Sequence, residues 1–224
     1  MYVMSLKGKA SNPLVQNSKM KELIGWFAAV IFPFASIGIS GTTGGGAIAA
    51  LIYFGICGWL MRTITDSGMP YFNPGLKTVI KQLMRLAFVC ILFWIVISAE
   101  YEFKTYPVLE AAMLITLFVL PKGIFEQLIT VNLFELAGAR VKLMGYAAGI
   151  MSSVMMYLLY WDKFITVNLL GVLVLILFQV ILNFFTINIY RKTKDITVCS
   201  ILQILFNLAV VFFCGFESIP YLVV

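Results

Sequence analysis

The sequence predicts an all-α, polytopic integral membrane protein with about seven transmembrane helices, the N-terminus cytoplasmic and the C-terminus outside. Three observations carry this expectation: a composition too apolar for a soluble domain, a succession of bilayer-length apolar runs, and an alternation of basic residues between them. Hydrophobic residues make up 62% of the 224 positions and charged residues 12%, with a mean hydropathy of +0.99. Soluble domains carry roughly 25% charge. A spanning helix needs about 20 apolar residues to cross a hydrocarbon core of about 30 Å. Runs of that kind fall at about 23–39, 45–61, 80–99, 105–121, 144–161, 164–190 and 196–214, in one transmembrane domain over 1–224. Their near-continuous apolarity separates them from barrel strands, which alternate over segments of about 10 residues.

The first run follows Lys7, Lys9, Lys19 and Lys21. That basic start resembles a signal peptide, but no small-x-small cleavage site follows, so the run is expected to be a retained first helix. The link to the second run, SGTTGGGAIAA from Ser40 to Ala50, is rich in small residues, and Gly55 and Gly58 follow it. Such residues suit close helix packing; three consecutive glycines could also open backbone groups to a ligand, as transporters do at mid-membrane. Placement at an outer turn favours packing. The G-x-S-G match at Gly38–Gly41 is rejected as a protease motif, because the chain has no histidine to activate the serine.

Region 62–78, RTITDSGMPYFNPGLKT, carries Gly68, Met69-Pro70 and Asn73-Pro74-Gly75 as breakers, and predicts an ordered cytoplasmic loop of consecutive turns. The third run reaches full length if Lys81 and Arg85 snorkel to the interface. Pro121 reads as the stop of the fourth run. After it, KGIFEQLITVNLFELAGARVKL sets Ile124, Leu128 and Val131 on one helical face and Glu126, Gln127 and Thr130 on another. This predicts an amphipathic segment on the cytoplasmic surface, or a cytoplasmic extension of the fifth helix. Glu126, Glu135, Arg140 and Lys142 would there meet lipid phosphates or a partner subunit. In the fifth run, Gly145, Ala148, Gly149, Ser152 and Ser153 form a small-residue face.

The gaps fix the orientation. The N-terminal tail, 62–85, 122–143 and 191–195 hold four, four, three and three Lys or Arg; the intervening gaps and the C-terminus hold zero, one, one and zero. Only Lys104 and Lys163 fall outside the first set, which the positive-inside rule makes cytoplasmic. Trp26, Trp59, Trp94 and Trp161 lie near run ends as interfacial anchors do, and Glu100, Glu102, Asp162 and Glu217 give a mildly acidic outer face. The net charge of +6 is thereby explained without nucleic acid.

The polar positions within the runs are few. Gln179 and Asn183 in the sixth run, and Gln203 and Asn207 in the seventh, are each four apart and so share a helical face. Asn168, eleven residues before Gln179, falls on nearly the same face. Counting from the turn RKTKD pairs Asn183 with Gln203 and Gln179 with Asn207 in depth. Such amides either glue helices together or line a polar pathway. Glu110 is the only carboxylate inside a predicted run, a relay candidate by its chemistry and an interfacial side chain by its depth. Cys57, Cys90, Cys199 and Cys214 are widely spaced and read as buried small hydrophobes.

Without histidine, paired carboxylates or a phosphate-binding glycine motif, no cofactor, metal or catalytic set is expected. The function expected is membrane transport, by a small transporter, channel or permease, or by the membrane subunit of a translocation or secretion assembly. The alternatives are a membrane enzyme acting on lipid-linked substrates at the cytoplasmic face, and a non-catalytic scaffold or immunity-type protein. The expected partners are the lipid bilayer and other membrane subunits or further copies of the chain, and the expected location is the bacterial cytoplasmic (inner) membrane.

Overall fold

Backbone polar groups in hydrocarbon find no water, so each apolar run must close its own hydrogen bonds as a helix. The computed structural model describes residues 17–43, 46–65, 68–72, 79–159 and 164–216. Outside the described residues lie Lys7, Lys9, Lys77, the Asn73-Pro74-Gly75 turns, Trp161, Asp162, Lys163, Glu217 and the C-terminus, as do most side chains of the Ser40–Ala50 link.

The helices are α1 Ser18–Thr43, α2 Gly46–Thr65, α3 Ile80–Glu100, α4 Val108–Ala137, α5 Lys142–Leu159, α6 Leu169–Thr193 and α7 Thr197–Cys214. Six of them are long and apolar enough to cross a membrane, and α2 contributes a shorter apolar stretch over Ala50–Thr65. Apart from an isolated bridge between Ile165 and Phe216, the described residues form no β-structure.

The main departure from the sequence reading is α4. Pro121 does not end the fourth helix, which continues through it to Ala137 and is 30 residues long in all. Proline removes one backbone donor and crowds the carbonyl four residues earlier. The helix absorbs this by widening over Ile115–Val119 into a π turn, where Leu120 N–H reaches back to Ile115 O. Segment 122–137 is therefore neither a surface helix nor part of the fifth helix. It is the axis of the bundle, packed against α1, α2, α5, α6 and α7. Residues 126–134 are all buried, so both faces of the expected amphipathic segment point into protein.

Around this axis, α1 packs on α2 and α5, α5 on α6, and α3 on α6 and α7. The α6–α7 hairpin expected to pair directly is splayed: the two helices touch sparsely, with α3 and α4 filling the space between them. Its turn is tight. Lys194 takes a left-handed conformation (φ 58°) at the end of α6, and Asp195 Oδ1 accepts the Thr197 N–H at 2.8 Å. Over it lies the 68–72 segment: Pro70 O accepts Ile196 N–H at 2.8 Å, and Tyr71 donates to Ile124 O at 3.0 Å; of the loop expected over 62–78, residues 62–65 instead belong to α2. Burial pushes the Tyr71 phenol up to about 12, so it remains a donor.

The small residues of α5 behave as packing residues. Gly145, Ala148, Gly149, Ser152 and Ser153 are buried, with Gly149 close enough that a Cβ would stand 3.3 Å from Thr130 O of α4. All four cysteines are buried and free.

Candidate functional site

Because α4 continues past Pro121, it carries Lys122 and Glu126 into the middle of the bundle. The two are one turn apart, 2% and 3% exposed, and their charged groups lie 3.0 Å from each other. An ammonium has three donors. Those of Lys122 face Glu126 Oε2, Asn207 Oδ1 at 2.9 Å and Tyr157 OH at 3.1 Å. The rings of Phe118, Tyr157 and Phe206 approach the same nitrogen with centroids at 6.0, 5.0 and 6.0 Å, adding cation–π attraction.

The pair opens onto the amides. Gln203 Nε2 donates to Glu126 Oε2 at 3.1 Å and to Gln179 Oε1 at 3.0 Å. Gln127 Nε2 donates to Gln203 Oε1 at 2.7 Å and, longer, to Asn183 Oδ1 at 3.4 Å. Asn183 Nδ2 ends the chain on Ser153 Oγ at 2.6 Å. The network thus joins α4, α5, α6 and α7 through side chains that are all buried. Taking two charges out of water costs several kcal/mol per ion, recovered only where geometry and further hydrogen bonds are good.

Four predicted amides meet here, but with different partners. Gln179 pairs with Gln203, not Asn207; Asn183 reaches Gln203 through Gln179, which donates to its Oδ1 at 3.1 Å, and through Gln127; Asn207 goes to Lys122. The depth count assumed that α6 and α7 face each other, and α4 supplies the groups that intervene. Asn168 is not on this face at all. It caps α6, accepting Gly171 N–H at 2.8 Å and the Tyr101 hydroxyl at 3.2 Å. Glu110 sits half-buried in the first turn of α4, far from the network in sequence and at the opposite end of the helix from Ala137.

The four residues assigned to a cytoplasmic contact surface separate. Glu126 is a correction, since it is buried against Lys122 and faces no surface. Glu135 is 21% exposed and joins Arg62 at 3.4 Å and Lys194 at 3.1 Å, with the Tyr190 hydroxyl also donating to it. Arg62 further holds Asn132 Oδ1 at 2.8 Å and Gly68 O, so this cluster ties α2, α4, α6 and the 68–72 segment together at one end of the bundle. Arg140 is exposed and pairs with Glu22, and exposed Lys142 lies over the Phe134 ring at 5.6 Å. Glu135→Gln is expected to lower the thermal unfolding midpoint, by about 1–2 kcal/mol of stability for a partly solvated charge cluster. The difference from the unaltered protein should narrow in high salt, because these charges are screened while Lys122–Glu126 is not.

Lys122, Gln127 and Tyr157 are not among the site residues expected from the sequence, although Gln127 falls on the polar face of 122–143. The available signal was the helical pattern continuing past Pro121 to Ala137, with Lys122 and Glu126 at i, i+4 inside it. Among the described residues no group of three Cys, Asp or Glu could hold a metal ion.

The fold and site together define an all-helical chain, with six helices able to cross a membrane, wrapped around a buried ion pair and its amides. Compared with known proteins, the chain matches no family model, no curated sequence and no solved structure.

Proposed function

We propose that this chain is a transport protein of the bacterial cytoplasmic membrane that passes a small ion or polar solute through the bundle. It would act alone, as a homo-oligomer, or as the membrane subunit of a translocation assembly. The observation that carries this reading is the position of Lys122 and Glu126, near the middle of a 30-residue helix about 45 Å long. Ionisable groups at such depth mark pathways and relays. An apolar pair of similar volume would hold the helices at least as well, so packing alone gives little reason for the charges.

In the membrane we place all seven helices as spans, with the N-terminus inside and the C-terminus outside. Moving Lys122 into a span leaves Arg140 and Lys142 at the α4–α5 link, and the alternation of basic ends survives. A reporter active only in the cytoplasm, fused after Val224, is expected to be silent; strong activity there would reverse the assignment.

The transport reading is tested by flux into liposomes containing the purified full chain, screened over monovalent cations, protons and small polar solutes. Replacing Gln179 and Asn207 together by Leu is expected to reduce flux at least tenfold. Unchanged flux with lowered thermal stability would show the amides to be packing groups and sink the pathway.

A further inference from the structure

The Lys122 ammonium has an acceptor for each donor, but the carboxylate opposite it is only half used. Glu126 Oε2 takes Lys122 and Gln203, whereas Oε1 has no hydrogen-bond partner although the residue is 3% exposed. Glu126 also lines a cavity between α2, α4 and α5, where Thr130, Ser152 and Ser153 add hydroxyls beside the Tyr53 ring. The cavity offers about 10 Å³ to the centre of a water molecule, room for one. A carboxylate oxygen kept dry and unpaired is costly. A water-sized cavity at that residue, with three hydroxyl side chains in its wall, gives a water molecule room to act as donor and as a route for exchange.

We propose that Glu126 is a reversible proton-binding site inside the bundle. Water in the cavity delivers the proton to Oε1, COO⁻ and H₃O⁺ becoming COOH and H₂O, with no other bond made or broken. Lys122 then loses its counter-charge but keeps Asn207 Oδ1, Tyr157 OH and three ring faces. Those partners form a resting place for the ammonium while Glu126 is neutral. A metal cation fits the site less well: it would need a shell of several oxygens and would add a second positive charge at a carboxylate that Lys122 already holds at 3.0 Å. The titratable groups facing Glu126 are Lys122 from its own helix, Tyr53 from α2 and Tyr157 from α5. From α6 and α7 come the amides, and α1 crosses α4 farther along, with Gly25 against Ala137. The role of this proton in coupling rests on the transport reading above; the protonation itself does not.

The test is infrared difference spectroscopy on the full chain in lipid bilayers, stepping the buffer from alkaline to acid in choline chloride. A protonated-carboxyl C=O band that shifts in D₂O is expected in the unaltered protein and in Glu110→Gln and Glu135→Gln, and is lost in Glu126→Gln. No such band in the unaltered protein, or its survival in folded Glu126→Gln, overturns the proposal. If Glu126→Gln does not fold, Ser152→Ala and Thr130→Val carry the test. Both alter the cavity wall, Thr130→Val also removing the hydroxyl's bond to the Glu126 carbonyl, and should move the band's frequency; an unmoved band overturns the site. Exchanging choline for sodium at constant pH should leave the band in place, and its loss would replace the proton by a metal cation. Flux without the band removes this proposal and leaves transport standing; the band without flux does the opposite.

Discussion

Lys122→Met is expected to destabilise the folded protein by about 3–5 kcal/mol, the cost of leaving a buried charge without its partner. Glu126 would lose its ion pair, and Asn207 and Tyr157 would lose the donor they share. Adding Glu126→Leu to Lys122→Met should recover most of that loss, since well-packed apolar groups of similar volume substitute for buried ion pairs with little penalty. Unfolding of the single and double variants in mixed micelles measures the coupling. If the double variant is as unstable as the sum of the two singles, the two side chains do not act as a pair. If the double variant is stable yet moves no solute, the pair serves function more than folding.

Gly25→Val is expected to cost about 3 kcal/mol, at the upper end of the penalty for inserting atoms into a packed contact. A Cβ at Gly25 would run into the backbone of α4, against Ala137 N and 2.8 Å from Ala137 Cα. Backbone cannot rotate aside as a side chain can, so α1 would have to lift from the axis of the bundle. Gly38 lies on the same helix with nothing within 4 Å of its Cβ position, and Gly38→Val should leave the unfolding midpoint almost unchanged. Equal effects at the two positions would refute the crossing of α1 over α4 at Ala137.

Much of the fold was legible because the bilayer imposes a strong local rule. A run that is long, apolar and short of charge becomes a helix whatever lies beside it, and the runs at 80–99 and 196–214 correspond closely to α3 and α7. The amides Gln179, Asn183, Gln203 and Asn207 could be found for a related reason, since few other polar groups interrupt those helices. Their partners could not. Hydrogen-bond partners depend on which helix stands between α6 and α7, and neither run encodes that. Pro121 misled because its local meaning, a helix stop, is overridden by a π turn that packs against α2 and α7 and lets α4 continue. The same error sent Lys122 and Glu126 to the surface, where charged residues at i, i+4 ordinarily belong.

By itself the sequence determined that the chain is helical and where its apolar helices lie, because hydrocarbon length and backbone satisfaction are read from consecutive residues. Only the tertiary structure decided that α4 is the axis, that Lys122 finds three acceptors on three helices, and that Glu126 keeps one oxygen without a hydrogen-bond partner while the residue lines a water-sized cavity. A charge can stay at that depth only if groups distant in sequence converge on it, and convergence is a property of the packed bundle, not of any one segment.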